Sequence, residues 1–488
     1  MSPAIIGIVL ASTLSVVAVA HLLPLVVALS AGDGGDAAAF AVTGLLTGFV
    51  AGALGLSVRG RARRARTGER LAALLTAWAV TPAFGALAFV GADPEILFAD
   101  AYFDAVSAVT TTGAIAFQPG EPAAVMVWRA TLQWIGGFAA LMMAMVVLAP
   151  LGLAALSLRR APIPPGNTSG PFGRYWPAML ALGTAYAAIT LVGLAILTLA
   201  GMSPVAGLVL AFSATATGGL MPQDGALLPS LGLVPAMVAA ALMATGATNY
   251  LRHAGLLRRR LADYRADPEI RYFAIALVVG GMVLALLMAL AEDRPWSLSR
   301  GILWMVSLMS TSVHPVDTEG FDSIPFVLAL AIVFVGGGTM ATAGGLKLMR
   351  IALLAKQGAR EIARLAHPHG IVHTEFAGRP FTISLMRGVW ALFVLTIVLA
   401  LTAAAVLTGF GMPFEQALAA GVGAVSNAGP VLGFAPGADG TSLGLAASET
   451  YAALPPAAKL VLCIVMIGGR VEVLALFAVF GASMSRKA

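Results

Sequence analysis

The sequence is poor in charge and nearly free of cysteine. Only 11% of its 488 residues are Asp, Glu, Lys or Arg, whereas soluble globular chains carry about 25%. The single cysteine, Cys463, lies in an apolar stretch, which excludes a disulfide framework and a cysteine-based metal site. No stretch of soluble composition is long enough to form a domain, so we expect the whole chain to be embedded in a membrane.

The sequence is rich in long apolar runs. Hydrophobic residues make up 59% of the chain, and its mean hydropathy is +0.91. A membrane-spanning helix needs about 20 apolar residues. Runs of that length predict ten spans, at 4–30, 37–57, 71–92, 124–156, 176–200, 231–257, 271–291, 324–355, 383–408 and 458–482.

The basic residues lie on alternate loops. Of the 29 Lys and Arg, 24 fall within residues 59–70, 159–174, 252–271, 347–387 and 486–487. The complementary loops are acidic and hold Arg129, Arg294, Arg300 and Lys459. By the positive-inside rule we expect a multi-pass protein of the inner or plasma membrane with both termini cytoplasmic. The basic clusters therefore indicate topology rather than nucleic-acid binding.

Four shorter apolar segments, at 101–112, 204–217, 299–312 and 414–428, lie between spans on the acidic side. Segments of this length are typically re-entrant rather than spanning. Their ends align without gaps as DAVSAVTTTG, VLAFSATATG, WMVSLMSTSV and AGVGAVSNAG, at spacings of 105, 95 and 116 residues. We therefore predict a helix pair at 1–58 and four repeats, at 71–157, 175–258, 271–356 and 383–484.

Four repeated re-entrant loops indicate an ion pathway. Non-helical backbone at membrane depth is tolerated where protein encloses it or where it lines a water-filled cavity. Loops that converge on one axis can replace the hydration shell of a cation with their carbonyl oxygens. One Thr-Gly cluster alone is more typical of helix packing, but four in register favour a filter.

Several motifs resemble the Trk/Ktr/HKT superfamily of potassium transporters. DAVSAVTTTGA and WRATLQWIGGFAALMMAM (128–145) are similar to its first pore loop and following helix. GGGTMATAGGLKLMR (336–350) resembles the interrupted helix of the third repeat. SNAGPVLG (426–433) and IGGRVEVLALF (467–477) resemble the fourth filter and its arginine-bearing helix, and DPEIRYF (267–273) also fits. The helix pair before the first repeat is similar to the Trk branch.

The resemblance implies an all-α polytopic membrane protein with four span, pore-loop and span repeats around a central pore. It implies a potassium-uptake channel or transporter subunit, not an enzyme. The implied filter residues are Thr110, Thr111, Thr112, Gly113, Thr215, Ala216, Thr217, Gly218, Ser310, Thr311, Ser312, Val313, Ser426, Asn427, Ala428 and Gly429. The implied gate is formed by Gly336, Gly337, Gly338, Gly344 and Gly345, with Arg470 as an electrostatic barrier beneath the filter.

The resemblance also implies partners. We expect a homodimer in which each protomer has its own pore, and a cytosolic nucleotide-binding regulatory subunit. The chain has no glycine-rich phosphate fingerprint, so we expect no cofactor of its own and nucleotide control only through that subunit. The basic loops 252–271 and 347–387 are candidate docking surfaces, unless their charges only set topology. We expect no transition-metal site at His367, His369 and His373, whose HP motif fits the family.

The third loop departs from the family pattern, because Val313 stands where a glycine is expected. A β-branched residue at positive φ is strained, so either the loop takes another path or its surroundings hold the strain. A shifted register that uses Gly320 is a weaker alternative. The departure leaves open a sodium-permeable or poorly selective pore, or a non-conducting membrane sensor. We expect His314, next to it, to be a solvated loop residue.

Overall fold

The computed structural model describes residues 3–61, 67–116, 121–145, 176–223, 225–257, 261–293, 295–367, 375–376, 379–380 and 383–471. Most of these residues are helical, and two short strands, Glu375–Phe376 and Arg379–Pro380, pair antiparallel. Six helices in this part of the chain are long and apolar enough to cross a membrane: Pro3–Ala31, Gly34–Ser57, Gly68–Ala92, Trp176–Leu199, Pro268–Glu292 and Met386–Gly409. The protein is an all-α polytopic membrane protein, as predicted.

The chain begins with a helix pair. Helix Pro3–Ala20 continues as Leu22–Ala31 and packs against helix Gly34–Ser57. The turn between them uses Gly32 at φ 74°, and Asp33 caps the second helix by accepting a hydrogen bond from the Asp36 N–H at 3.0 Å. A glycine followed by an Asp cap is a typical helix-to-helix connection.

Four units follow, each with a first helix, a short pore helix and a second helix. The first helices are Thr67–Ala92, Trp176–Leu199, Pro268–Glu292 and Ile383–Gly409. The pore helices are Phe98–Val109, Pro204–Ala216, Leu298–Met309 and Phe414–Ser426. The second helices are Ala123–Met143, Leu233–Gly246 with Tyr250–Leu257, Phe326–Val335 with Leu348–Ala366, and Pro456–Arg470. The four predicted re-entrant segments are thereby confirmed as helices, while the predicted domain boundaries stay a prediction.

The connections carry further short helices. On the way to their second helices, the chain forms a π-helix at Leu227–Leu231, a helix at Gly320–Ser323, 3₁₀ turns at Gly429–Phe434 and Gly444–Ala446, and a helix at Ala447–Ala452. Helix Leu261–Arg265 joins the second and third units. Ser203 and Ser297 cap the second and third pore helices, since each side chain accepts a hydrogen bond from a backbone N–H of the first turn.

Two of the predicted spans are interrupted. The run predicted at 231–257 bends by 108° between Gly246 and Tyr250. The run predicted at 324–355 stops at Val335 and resumes at Leu348, because the glycine-rich residues between them favour non-helical backbone. The predicted spans 124–156 and 458–482 extend beyond the described residues, whose helices there end at Met143 and Arg470.

Three of the basic residues on the predicted acidic side form buried or partly buried ion pairs. Arg129 bonds Asp104 at 2.8 Å and Glu121 at 2.6 Å. Arg300 bonds Glu292 and Asp317 in the same way, and Lys459 bonds Asp100 at 2.7 Å. These three cations therefore hold the pore helices and their connections in place.

Candidate ion pathway

Each pore helix ends in a loop that reverses through a left-handed residue. These residues are Thr111 (φ 56°), Thr217 (φ 58°), Thr311 (φ 60°) and Asn427 (φ 53°). Each of their N–H groups donates to the carbonyl three residues back, in the last turn of the pore helix. The shared backbone geometry shows that the four loops are structural repeats of one another. We name them loop 1 (110–113), loop 2 (216–219), loop 3 (310–313) and loop 4 (426–429).

The backbone places loop 2 one residue later than the ungapped sequence alignment. Thr217 and Gly219 (φ 76°) correspond to Thr111 and Gly113 (φ 75°). The hydrogen bonds support the same correspondence. The Thr112 N–H donates to the Ser107 carbonyl, and the Gly218 N–H donates to the Ser213 carbonyl, each five residues back. Ala216 therefore lies at the position of the hydroxyl residues Thr110, Ser310 and Ser426.

The hydroxyls predicted to line the inner ring differ in their contacts. Thr110 Oγ1 donates to the Val106 carbonyl at 2.7 Å, and Ser310 Oγ donates to the Ser307 carbonyl at 3.0 Å. The hydroxyls of Thr215 and Ser426 are buried and have no hydrogen-bond partner among the described residues. Two of the four hydroxyls are thus already bonded back to their own pore helix.

The loops contact one another in the order 4, 1, 2, 3. Gly429 N–H donates to the Thr112 carbonyl at 2.6 Å, which joins loop 4 to loop 1. A Cβ built on Gly113 would lie 2.2 Å from the Gly218 oxygen, and one on Gly219 would lie 2.3 Å from the Ser312 oxygen. Each of these contacts brings a glycine against the carbonyl of the neighbouring loop, so only a residue without a side chain fits there.

Loop 3 carries valine at the position of these glycines. Val313 has φ 49° and is fully buried, and a left-handed conformation costs such a residue about 1–2 kcal/mol. Its N–H donates to the Ser307 carbonyl, six residues back. In loops 1 and 2 the equivalent carbonyl accepts from the residue before the glycine, five residues on. Both of the expected outcomes occur, because the loop path differs locally and the strain is held by surrounding contacts. Gly320 instead begins a separate helix against Trp304, so the shifted register is wrong.

His314 is buried, and the expectation of a solvated loop histidine is wrong. Its Nε2 lies 3.2 Å from the Leu220 carbonyl oxygen and 3.4 Å from Ser213 Oγ, both in the second unit. Its Nδ1 forms a short hydrogen bond with Ser312 Oγ, and its own carbonyl accepts from Ser307 Oγ at 2.6 Å. No sequence pattern could indicate the contacts with Leu220 and Ser213, since these residues are about a hundred positions from His314.

Glycines of three second helices lie directly behind the loops. A Cβ on Gly136 would lie 1.8 Å from the Val109 carbonyl oxygen, and one on Gly469 would lie 2.1 Å from the Val425 oxygen. Gly246 approaches the Thr215 oxygen in the same way, at 2.9 Å. Each of these carbonyls comes two residues before the left-handed residue of its loop. Gly136 and Gly469 lie in the motifs WIGGF and IGGR, whose paired glycines were the available sequence signal. The sequence alone did not indicate that these glycines contact the loops.

A second missed residue is Gln133, on the second helix of the first unit. Its side chain is fully buried, and its Nε2 donates to the Gly218 carbonyl at 2.9 Å. A buried amide within an otherwise apolar helix was the available sequence signal. The contact links the first unit to loop 2.

The glycine-rich segment, residues 336–347, lies against the loops. Gly344 N–H donates to Thr311 Oγ1 at 2.7 Å, and Gly345 N–H donates to the Ser426 carbonyl at 3.0 Å. Thr342 Oγ1 donates to the Thr215 carbonyl at 3.0 Å. The predicted gate glycines Gly336 and Gly345 both have positive φ, and the segment is not helical. The predicted break therefore contacts loops 3 and 4 and Thr215, the residue that directly precedes loop 2.

Arg470 ends the described part of the fourth second helix and is buried. Its Nε and Nη2 have no hydrogen-bond partner among the described residues. The guanidinium borders a cavity of about 40 Å³ that Lys347, Arg350, Gly344 and Asn427 also line. Positive charge is thus concentrated next to the loops and the glycine-rich segment, whereas Glu472 lies outside the described residues.

A larger cavity of about 450 Å³ lies on the other side of the loops. Gly113, Gly219 and Pro430 line it together with Glu121 and Glu449. Tyr451 also borders it and donates from its hydroxyl to the Gly429 carbonyl at 3.0 Å. The loops therefore separate a wide, partly acidic cavity from a narrow, basic one.

Comparison with known proteins agrees with this architecture. Residues 297–486 match the TrkH family model, described as "Cation transport protein". The chain is 26% identical to the potassium transporter TrkH from Vibrio parahaemolyticus in its crystal structure, with a TM-score of 0.84 and 98% of both chains covered. The chain is similar to the Trk branch of the Trk/Ktr/HKT superfamily, whose members are membrane transporters and not enzymes.

Curated relatives extend the match along the sequence. The Trk system potassium uptake protein TrkH of Salmonella typhimurium is 29% identical over 423 residues, 84% of each chain. The TrkH protein of Halomonas elongata is 29% identical over 435 residues, 87% of each chain. The similarity to these relatives therefore extends over most of the chain, including much of the part before residue 297 that the family model does not reach.

Some predicted positions lie outside the described residues. These are His369 and His373, the basic residues of 159–174, and the C-terminal Arg486 and Lys487. The expectation about a transition-metal site at the three histidines stays a prediction. So does the orientation of the termini.

Proposed function

We propose that this chain is the pore-forming subunit of a potassium-uptake system and conducts K⁺ inward through loops 1 to 4. One observation carries the proposal: four pore helices end in loops that each reverse through a left-handed residue and that contact each other in succession. Loops of this kind at membrane depth need either enclosing protein or a water-filled cavity, and cavities lie on both sides. The relatives' names, which refer to potassium uptake, agree.

Potassium rather than sodium is the proposed substrate. A filter that discriminates between these ions needs its backbone oxygens held at set positions. Every loop is bonded back to its pore helix, and glycines of the second helices lie directly behind loops 1, 2 and 4. Val313 shares the left-handed backbone of Gly113 and Gly219, so loop 3 stays part of the ring.

We further propose that residues 336–347 form the gate and Arg470 the barrier next to it. The segment contacts loops 3 and 4 and the neighbouring Thr215. A non-helical stretch with several glycines can change conformation at low cost. Among the described residues, Nε and Nη2 of Arg470 find no hydrogen-bond acceptor, which supports a role for its charge in the pathway.

For partners, we propose a homodimer and a cytosolic nucleotide-binding regulatory subunit, with both termini cytoplasmic and no cofactor in this chain. Helix Leu348–Ala366 leaves Ile362 and Leu365 more than two thirds exposed beside its basic residues. Residues 252–271 are tied together by the Arg252–Asp267 ion pair at 2.7 Å. Helix Leu348–Ala366 directly follows the glycine-rich segment. Residues 252–271 include Glu269, which accepts hydrogen bonds from Thr339 of that segment.

Rubidium-86 uptake into proteoliposomes of the purified protein tests the function. Potassium, sodium and lithium serve as competitors, and Val313→Gly is measured alongside. We expect potassium to compete far better than sodium in both proteins. Equal competition by sodium would favour a relaxed cation pore, and absence of flux even with the regulatory partner would favour a non-conducting sensor.

A further inference from the structure

We propose that His314 is a positioning residue that holds loop 3 in its filter conformation in place of the glycine this loop lacks. The inference rests on the proposed function, because it assumes that the loops select the permeating ion. It concerns one position only, the residue that directly follows Val313.

The need for such a residue arises from backbone strain. Gly113 and Gly219 adopt their positive φ without cost, whereas Val313 adopts the same conformation with a branched side chain. An isolated strained residue persists only where surrounding contacts over-determine its position. Loop 3 must therefore be held more firmly than loops 1 and 2.

His314 supplies hydrogen bonds on both sides of the strained residue. Its carbonyl accepts from Ser307 Oγ at 2.6 Å, which ties it to the last turns of the pore helix. Its Nδ1 bonds the hydroxyl of Ser312, the residue before Val313. Its Nε2 lies 3.2 Å from the carbonyl oxygen of Leu220, which follows loop 2.

The chemistry of these partners fixes the imidazole tautomer. The Leu220 carbonyl can only accept, so Nε2 carries the proton and donates it. Nδ1 is then an acceptor, and the Ser312 hydroxyl donates to it. The neutral ring thus spans from loop 3 to loop 2 with both nitrogens in use, and it is fully buried.

The other loops carry no such residue. The positions equivalent to His314 are Ala114, Leu220 and Pro430, and none of these has a polar side chain. Among the four equivalent positions, the polar bridge therefore occurs at the one that follows the replaced glycine. This coincidence within the molecule assigns to His314 the task of offsetting Val313.

The test is a double-mutant cycle on ion discrimination. His314→Ala, Val313→Gly and the double variant are reconstituted in proteoliposomes, and the ratio of potassium to sodium inhibition of rubidium-86 uptake is measured. His21→Ala is the matched control, because His21 is also buried and hydrogen-bonded but lies in the N-terminal helix pair. His314→Gln keeps a side-chain donor and serves as the conservative variant.

We expect His314→Ala to lower the ratio roughly tenfold, as the loss of about one hydrogen bond's net free energy would. Val313→Gly should restore discrimination in the double variant, and His314→Gln should keep part of it. If His314→Ala fails to fold, the double variant should fold. A ratio unchanged in His314→Ala, or a double variant as impaired as His314→Ala, would overturn the inference.

The outcomes separate this inference from the proposed function. A wild-type protein that conducts and discriminates, with no effect of His314→Ala, contradicts the role of His314 alone. A wild-type protein without flux contradicts the pore function. His21→Ala is expected to leave the ratio unchanged, and an equal loss in that variant would also overturn the role of His314.

Discussion

Single glycines set the distance between the second helices and the loops they support. A Cβ on Gly136 would come within 1.8 Å of the Val109 oxygen and 2.9 Å of its Cα, so backbone would have to move. The contact is made by main-chain atoms on the loop side, which cannot turn away as a flexible side chain can. The position therefore tolerates no larger residue.

We expect Gly136→Ala to lower stability by about 1–3 kcal/mol, the usual cost of overpacking. Gly52→Ala is the control, because Gly52 lies in a helix with no atom within 4 Å of a built Cβ. That change should be neutral or stabilising by about 0.5–1 kcal/mol, since alanine favours helix. The measurement is the midpoint of thermal unfolding in detergent. Equal midpoints for the two variants would contradict the close contact.

Two guanidinium nitrogens of Arg470 lack a hydrogen-bond partner in the described part of the chain. At an effective dielectric constant of about 20, a unit charge repels a cation about 8 Å away by roughly 2 kcal/mol. Removing that repulsion corresponds to a roughly 30-fold change in rate.

We therefore expect Arg470→Ala to raise rubidium-86 uptake, by up to about 30-fold if the barrier limits flux. Arg470→Lys keeps the charge and should stay near wild type. Uptake that is unchanged or lower in a folded Arg470→Ala protein would show that the guanidinium does not oppose permeation.

The sequence predicted where the four loops lie, but not which residues contact them. The Thr, Ser and Gly pattern located the four turns, because left-handed backbone leaves a local signature. The one-residue shift of loop 2 was missed since TATGG offers two adjacent glycines and either fits an alignment. Gln133 and His314 were missed as loop contacts, because their partners are distant in sequence.

At the scale of elements, one carboxylate ties the break in the second helix of the third unit to a neighbouring helix. Glu269, in the first turn of helix Pro268–Glu292, is buried and accepts from the Thr339 N–H at 2.6 Å and from its hydroxyl at 2.8 Å. The glycine-rich segment is thus attached both to the loops and to the start of a neighbouring helix.

Glu269→Ala removes both acceptor contacts and should loosen this segment, because hydrogen bonds to charged groups contribute about 1.5–3 kcal/mol each. We expect higher rubidium-86 uptake without a regulatory partner. Glu269→Gln keeps an acceptor oxygen and should lie between this variant and wild type. Uptake in Glu269→Ala equal to that of wild type would argue against a gating role for the segment.

Continuous apolar helices were predictable from the sequence, whereas the breaks and bends within helices were harder to predict. The six continuous spans and the four pore helices follow from apolar length alone. The 108° bend before Tyr250 did not, because TGATN contains one glycine and no proline. Tertiary contacts explain the bend instead, since Gly246 O accepts from Thr342 and Ala247 O accepts from Gly338.

At the scale of the whole molecule, four similar units make one pathway only by packing together. Loop 1 contacts loops 2 and 4, and loop 2 contacts loop 3. The glycine-rich segment joins loops 3 and 4 from one side. The sequence repeat predicted this convergence, whereas the unequal chemistry of the loops, with Val313 and His314 in one of them, makes the ring asymmetric.

The most direct test of the account is to locate a permeant ion. Crystals of the full chain grown in rubidium are measured at the rubidium absorption edge, with crystals in sodium as the reference. The account predicts an anomalous peak enclosed by loops 1 to 4, between the wide cavity at Glu121 and Glu449 and the narrow one at Arg470. Rubidium bound only elsewhere, or no peak among the loops, would contradict it.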